Sequence, residues 1–125
     1  RLIHSGIESA GQTIDALEAA LEQKADCLLC GDDDIAFEVM RELRMRHILV
    51  PNDLRVASLY DSSMLASITP SVSAVQYDAE QLGRTACRML LDRLLGKEMV
   101  QRQIEGYQVI LRESTKWNSR THDGR

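Results

Sequence analysis

Three consecutive carboxylates, Asp32, Asp33 and Asp34, lie between a short apolar stretch and a sequence with the apolar spacing of a helix. One of them could accept hydrogen bonds from hydroxyls of a small polar ligand, or the three could hold Mg²⁺ through oxygen ligands. A simpler interpretation is that one carboxylate caps the helix and the others interact favourably with its dipole. The pattern favours capping for any single Asp. A metal site is favoured less, because no second acidic cluster with ligand spacing accompanies the first.

A second candidate site is the pair Tyr60 and Asp61, which directly follows a stretch with the composition of a buried strand, residues 56–59. A phenol and a carboxylate at the C-terminal end of a strand suit a sugar or another polyol, since the ring stacks on an apolar face and the carboxylate binds hydroxyls. The alternative is a Tyr packed at a loop edge and an Asp in an Asx turn before Ser62. The residues alone favour neither interpretation.

The cysteines do not form a recognisable redox or zinc motif. Cys27 and Cys30 have C-x-x-C spacing, but redox pairs favour the start of a helix, and the second pair of ligands that zinc needs is missing. We therefore expect buried structural cysteines. With Cys87 the number of cysteines is odd, whereas small secreted chains usually carry an even disulfide framework. A reducing cytoplasm is the favoured location.

Catalysis, membrane insertion and direct binding of nucleic acid are all disfavoured. His4, His47 and His122 are far apart and stand in no arrangement with a nucleophile, and the glycines form no phosphate-binding motif. No enzyme, cofactor or metal is therefore predicted. The apolar runs are too short to span a membrane. The formal charge is −4, whereas binding to a phosphate backbone needs a basic face.

The periodicity of apolar residues predicts the elements that position these side chains. A helix over residues 5–23 begins with the capping pattern Ser5 to Glu8. A second helix runs from the acidic cluster to a basic end that we interpret as solvated, Arg41, Arg44, Arg46 and His47. The other predicted elements are a strand covered on both faces at 27–30, a strand at 56–59, a short helix at 62–68, a strand at 72–75, a helix at 78–95 and a strand at 107–111. This order predicts an α/β fold with a mostly parallel sheet.

The helix at 78–95 has signals at both ends. Asp78, with Gln81 three residues later, suits a capped start, and Gly96 is placed to adopt the left-handed conformation just beyond the end. Residues 118–125 lack any period and are expected to form a frayed tail. Because the chain begins with Arg1 rather than Met, we expect it to be part of a longer protein.

Taken together, the motifs resemble the C-terminal part of LacI/GalR-family transcriptional regulators. The similarity covers nearly everything from Ser5 to Thr115, and the spacing is kept without gaps from Asp32 to Gly96. The segments that carry it are Asp32-Asp33-x-x-Ala36, Val50-Pro51-x-Asp53-x-x-Val56-Ala57-Ser58-Leu59-Tyr60-Asp61, Pro70-x-Val72-Ser73-x-Val75, Leu82-Gly83-x-x-Ala86-x-x-x-Leu90-Leu91 and Leu111-Arg112-x-Ser114-Thr115.

The resemblance implies a type I periplasmic-binding-protein fold, a parallel-sheet sandwich of two subdomains with the ligand in the cleft between them. Residues 1–117 would be the C-terminal portion of this effector domain. The DNA-binding helix-turn-helix and the first half of the effector domain would lie outside the chain. The helix at 78–95 and the strand at 107–111 would belong to the other subdomain. If the fragment is alone, their apolar faces need another cover, and we then expect a dimer or a swapped assembly.

The resemblance also implies ligand-binding residues. Asp32 stands where the family commonly has an Asn that binds the effector, and Asp33 stands on the usual Asp. Tyr60 replaces a common ligand-binding Asp, and Asp61 stands on the second, more variable acidic position. Ser58 replaces the usual Gly. These departures leave the effector open between a different sugar, a phosphorylated or non-sugar ligand, and none.

The family's subunits form homodimers, and the resemblance places the contacts on the helix after the acidic cluster and on the segment before the second proline. The implied contact residues are Phe37, Met40, Arg41, Met64 and Ile68, with a plain core role as the alternative for Met40 and Ile68. The predicted function is therefore effector sensing in a cytoplasmic regulator. A sugar-binding protein of a transport system is the alternative and would need an export signal upstream. A magnesium-dependent α/β enzyme is a more distant one.

Overall fold

The computed structural model describes residues 10–98 and 106–116, so the predicted cap at Ser5 to Glu8 and the predicted tail at 118–125 lie outside the described residues. Within them the predicted elements occur in the predicted order. They are helix α1 (Ala10–Glu22), strand β1 (Cys27–Cys30), helix α2 (Asp33–Met45), strand β2 (Arg55–Ser58), helix α3 (Ser63–Ser67), strand β3 (Ser73–Tyr77), helix α4 (Ala79–Leu94), strand β4 (Tyr107–Ile110) and a 3₁₀ turn at Glu113–Thr115.

The four strands form one mostly parallel sheet in the order β1-β2-β3-β4. β1, β2 and β3 are parallel neighbours, and β4 pairs antiparallel with β3. Parallel neighbours need a crossover between them. α2 supplies it between β1 and β2, and α3 supplies it between β2 and β3. The predicted α/β fold with a mostly parallel sheet is confirmed, and the antiparallel direction of β4 is the added detail.

The hydrophobic core lies between α2 and the strands, with α1 and α3 packed against α2. Ala36, Val39 and Leu43 recur along one face of α2 at three- and four-residue spacing, and all three are buried. This spacing is the apolar stripe of a helix that covers a sheet. The complete buried cluster is Leu17, Cys30, Ala36, Val39, Met40, Leu43, Leu54, Val56, Leu65, Val72 and Ala74.

The ends of the long helices follow from their capping residues. Asp78 is the N-cap of α4, and its Oδ1 accepts a hydrogen bond from the backbone N–H of Gln81 at 3.0 Å. Beyond the other end, Gly96 has a φ of 70° and donates its N–H to the carbonyl of Arg93 at 3.2 Å. Both predicted signals are confirmed. α2 ends in the same way, but its left-handed residue is His47, with a φ of 58°.

Strand β1 differs from its prediction. Cover on both faces was expected, but Leu29 is 63% exposed and Cys27 is exposed as well, while Cys30 is buried. Cys27 and Leu29 share one face of the strand, and the described residues leave this face of an edge strand uncovered. The prediction of buried cysteines is therefore correct for Cys30 and wrong for Cys27. Burial raises the pKa of the Cys30 thiol to about 12, so this thiol stays protonated.

Helix α4 and strand β4 carry large apolar side chains on the surface. Among the described elements, none packs against α4 as α1 packs on α2. The exposed side chains of this region are Leu82, Leu90, Leu91, Leu94, Leu95, Tyr107, Val109 and Leu111. Residues 10–98 and 106–116 contain no helix with the length and apolar character needed to cross a membrane.

Candidate functional site

The C-terminal ends of β1 and β2 lie side by side. Cys30 pairs with Ser58 at the last register position, and the N–H of Leu59 donates to the carbonyl of Cys30 at 2.9 Å. The loops that begin at Gly31 and Leu59 therefore leave the sheet at one edge. Open parallel sheets bind ligands at this edge. The structure thus brings the acidic cluster and the loop of Tyr60 to the same side of the molecule.

Asp32 caps α2, as the simpler interpretation of the acidic cluster predicts. Its Oδ1 accepts a hydrogen bond from the backbone N–H of Ile35 at 2.8 Å, and its Oδ2 has no hydrogen-bond partner in the described part of the chain. Asp33 and Asp34 lie in the first turn, where the helix dipole favours negative charge. The described residues contain no group of three His, Cys, Asp or Glu side chains arranged to hold a metal ion. Capping therefore leaves Asp32 one oxygen for a ligand.

Ser58 holds the backbone of Tyr60 in a turn. The Ser58 hydroxyl donates to the carbonyl of Tyr60 at 2.7 Å and accepts a hydrogen bond from its N–H at 3.1 Å. Ser58 is itself buried, so the turn is anchored to the end of β2. The Tyr60 side chain is 48% exposed, which leaves it accessible to a ligand.

Asp61 is paired with Arg112. Nη1 and Nη2 of Arg112 donate to Oδ1 and Oδ2 of Asp61 at 2.6 and 2.8 Å. The side chain of Asp61 is 8% exposed and that of Arg112 is 16% exposed. The hydrogen bonds and the charge of Arg112 hold the pKa of Asp61 below its usual range, although burial acts in the opposite direction. Asp61 raises the pKa of Arg112 in turn. The site therefore contains a half-buried, charged pair.

A network of hydroxyls and carbonyls holds Arg112 in place. Its Nη1 also donates to the carbonyl of Val72 at 2.7 Å, and its backbone N–H donates to Ser73 Oγ at 2.7 Å. The Oγ of the buried residue Ser114 donates to the carbonyl of Val56 at 2.6 Å and accepts the N–H of Ser73 at 2.9 Å. These bonds tie the segment after β4 to the beginning of β3 and to β2.

Two residues of the site were not predicted from the sequence, Arg112 and Ser58. Arg112 lies 51 positions beyond Asp61, so spacing alone could not pair them. The sequence did offer one indication, since Asp61 and Arg112 both belong to the motifs that carry the family resemblance. For Ser58 the signal was local, because a serine at the end of a strand is able to close a turn with its hydroxyl.

The residues predicted to form dimer contacts lie on α2, on α3 and just after α3. Phe37 and Arg41 are exposed, Met64 and Ile68 are half-buried, and Met40 belongs to the core, which was its alternative role. All of these residues except Met64 line one groove beside the C-terminal half of α2. We call it the α2 groove.

Comparison with known proteins places this arrangement in a family. The sequence model of the periplasmic binding protein-like domain matches residues 2–115. The HTH-type transcriptional regulator GalR of Streptococcus thermophilus is 27% identical over 111 residues, which cover 88% of this chain and 34% of that protein. The chain thus spans about a third of the length of this curated relative.

Solved structures agree with the sequence comparisons. The crystal structure of the transcription regulator CcpA of Lactococcus lactis superimposes with a TM-score of 0.78 at 25% identity, covering 89% of this chain and 41% of that one. The complex of the transcriptional regulator CelR with cellobiose gives a TM-score of 0.75 at 26% identity, covering 87% of this chain and 34% of that one. The chain therefore belongs to the periplasmic binding protein-like domain family, and within it to the effector domains of LacI/GalR-type transcriptional regulators.

Proposed function

We propose that this chain forms one wall of the effector cleft and the dimer contact of its regulator, and that the effector is a sugar or a sugar derivative. The observation that carries the proposal is the shared edge of β1 and β2, which presents a carboxylate oxygen of Asp32 and the exposed Tyr60 on one side. The similarity to CelR, whose structure contains cellobiose, supports a polyol as the ligand.

Each predicted ligand residue has a role in this proposal. Asp32 and Asp33 accept hydrogen bonds from ligand hydroxyls, and the ring of Tyr60 stacks on the ligand while its phenol forms a further hydrogen bond. Asp61 already accepts two bonds from Arg112, but a carboxylate has about four lone-pair positions. Asp61 therefore binds the ligand only through an oxygen that also accepts a hydrogen bond from Arg112. Its main role is to hold the loop of Tyr60.

The regulatory mechanism is a shift between two conformations. An effector that binds a closed cleft better than an open one moves the population toward the closed form. In a homodimer this movement changes the distance between the two DNA-binding headpieces, which the regulator carries outside this chain. The dimer would use the surface formed by Phe37, Met40, Arg41, Met64 and Ile68. Because the proposed regulator acts on DNA, the proposal includes a cytoplasmic location.

A thermal-shift screen of the full-length protein with sugars, sugar phosphates and nucleosides tests the proposed effector. At least one sugar should raise the melting temperature, and Tyr60→Phe and Asp33→Asn should each reduce that rise. Asp34→Asn is the matched control, since it removes a neighbouring charge from the same helical turn and should leave the rise unchanged. The assignment of the site is wrong if the best ligand is indifferent to Tyr60→Phe and Asp33→Asn.

A further inference from the structure

The α2 groove has the size and composition of a small-molecule site. Its volume is about 580 Å³, within the range of about 300–1,000 Å³ that is usual for ligand pockets. Most of its lining is apolar and comes from α2, the turn after it and the segment before the second proline. The apolar lining residues are Phe37, Met40, Leu43, Ile48, Leu49, Val50, Ile68 and Pro70.

Every polar side chain among the described residues that line the groove can donate a hydrogen bond, and none of them is an anion. Arg41, Arg44, His47 and Thr69 line it, and none of the described residues that line it is acidic. This contrasts with the chain as a whole, which has a formal charge of −4. The groove therefore carries basic side chains at the edge of an apolar surface.

Within the described residues, one of these cations has no ion-pair partner. Arg41 is bound by Glu38 and Glu42, whereas the guanidinium of Arg44 forms no ion pair with any residue in the described ranges. Arg44 is exposed, as expected of a solvated helix end, and its guanidinium also borders the apolar groove. A planar guanidinium can donate two parallel hydrogen bonds to a carboxylate or a phosphate.

The end of α2 does not oppose an anion as strongly as a helix C-terminus usually does. Its last carbonyls would repel negative charge if they were free. The carbonyl of Leu43 accepts the N–H of Ile48 at 2.9 Å, and that of Arg44 accepts the N–H of His47 at 3.1 Å. The left-handed turn at His47 thus satisfies these carbonyls and places the imidazole in the lining of the groove.

We propose that the α2 groove binds a small amphipathic anion, a carboxylate or phosphate group carried on a compact apolar body. Arg44 binds the anionic group, His47 and Thr69 supply further donors, and the apolar walls cover the body of the ligand. This site is separate from the cleft edge, because Asp32 and Tyr60 do not line it and most of its lining comes from the C-terminal half of α2 and the turn after it.

The groove opens on the surface proposed for dimerisation, so a ligand bound there would affect the association of two copies. A two-fold contact would bring two basic rims together, and like charges across an interface are unfavourable. An anion bound to each copy removes this repulsion and adds apolar cover. The ligand should therefore strengthen association of the two copies. This consequence rests on the proposed dimer, whereas the binding site itself does not.

Benzoate is a suitable probe for the full-length protein, with acetate and benzyl alcohol as probes that keep only the charge or only the ring. In a nuclear magnetic resonance titration, benzoate should saturate shifts of the amides of Leu43, His47 and Thr69, and the two control probes should bind at least about tenfold more weakly. Arg44→Gln should weaken benzoate binding by about tenfold, the loss expected for one charge-assisted hydrogen bond.

Arg93→Gln is the matched control, because Arg93 is the basic residue in the last turn of α4 as Arg44 is in α2. It should leave benzoate affinity unchanged. The proposal is overturned if benzoate does not bind, if it binds Arg44→Gln as tightly as the unmodified protein, or if its shifts centre on Tyr60.

Sedimentation equilibrium with and without benzoate tests the consequence for association. Benzoate should tighten the dimer of the unmodified protein and of Arg93→Gln, but not that of Arg44→Gln. A dimer that benzoate leaves unchanged or loosens overturns the coupling. A protein that never dimerises overturns the proposed dimer and the coupling together, while the titration still decides the binding site.

Discussion

Two helices of similar sequence pattern have different surroundings in this molecule. α2 and α4 are both amphipathic, and both begin at a capping Asp. The apolar face of α2 is buried in the core cluster, whose members all lie between Leu17 and Ala74. The corresponding side chains of α4 are exposed. We call residues 11–74 the core region, and α4 with β4 the outer region.

An apolar stripe on a helix predicts a contact, but it does not specify which part of the protein provides that contact. Within the described residues, α2 finds its partners in β2 and α3, while α4 has no comparable neighbour. The chain covers about a third of GalR, so we propose that the remaining parts of the regulator cover the outer region. Under this proposal the core region would hold the cleft edge, and the outer region would connect it to the other subdomain.

Matched truncations of leucine should give the largest contrast between the two regions. Leu43 on α2 is 0% exposed, and Leu90 on α4 is 60% exposed. Leu43→Ala should lower the free energy of unfolding of this chain by about 4 kcal/mol, because it leaves a cavity in the core. Leu90→Ala should lower it by less than about 1 kcal/mol, since little burial is lost. Urea titrations followed by circular dichroism measure both values.

The same pair of substitutions in the full-length protein sharpens the comparison. If the rest of the regulator covers α4, Leu90→Ala should become clearly more destabilising there than in this chain. An equally small effect in both proteins would show that the outer region stays uncovered. Equal, large effects of Leu43→Ala and Leu90→Ala in this chain would contradict the division into two regions.

Ion pairs provide the second contrast. Arg112 and Asp61 form a half-buried pair whose side chains are 16% and 8% exposed, whereas the side chains of Arg84 and Glu80 on α4 are bonded at 2.6 Å but are 72% and 75% exposed. Arg112→Met should destabilise the chain by about 2 kcal/mol, because it leaves the half-buried carboxylate of Asp61 without its charged partner. Arg84→Met should cost less than about 0.5 kcal/mol, as expected of an exposed pair within a helix. Urea titrations at neutral pH compare the two.

A double substitution tests why Arg112→Met destabilises the chain. If the cost of Arg112→Met comes from the stranded carboxylate, adding Asp61→Leu should recover part of the lost stability. No recovery would mean that the lost hydrogen bond from Arg112 Nη1 to the carbonyl of Val72, rather than the stranded carboxylate, determines the effect.

The pH dependence of stability should identify the same pair. The pKa of Asp61 is lowered in the folded state, so the pair contributes fully above the unfolded-state pKa of about 3.9. The contribution is lost as pH falls through the lowered folded-state pKa. Urea midpoints measured from pH 6 to pH 2.5 should fall less steeply in Asp61→Asn than in the unmodified chain. Parallel curves would show that Asp61 is not the group that titrates.

How much of this comparison could be predicted from the sequence depends on the range of the interactions. The cap at Asp78 and the turn at Gly96 are decided within a few residues, and they were predicted correctly. For α2 the sequence predicted that one of the three carboxylates is the cap, without saying which one. The cover of β1 was predicted wrongly because its neighbours are remote in sequence, and Leu29 and Cys27 are exposed. The Arg112–Asp61 pair joins residues 51 positions apart, beyond the reach of any local pattern.

Removal of the two caps should give a smaller contrast. Asp32→Ala and Asp78→Ala each remove a side-chain acceptor for a backbone N–H, which costs about 1 kcal/mol of helix stability. For α2 this loss should appear in global unfolding, because the helix is part of the core. For α4 it should appear mainly as faster amide hydrogen exchange in the helix itself. Faster exchange confined to α2 in Asp32→Ala would contradict the assignment of α2 to the core region.

The smallest expected effect concerns the residues that end α2 and α4. His47 and Gly96 both occupy the left-handed conformation just after their helices, with φ values of 58° and 70°. A side chain is strained there and glycine is not, so His47→Gly should raise the free energy of unfolding by about 0.5 kcal/mol, and Gly96→Ala should lower it by about 1 kcal/mol. Thermal unfolding of the two variants measures these changes. If His47→Gly is destabilising instead, the imidazole makes contacts in the α2 groove that outweigh the backbone strain. Benzoate affinity of the same variant then shows whether those contacts also serve the anion.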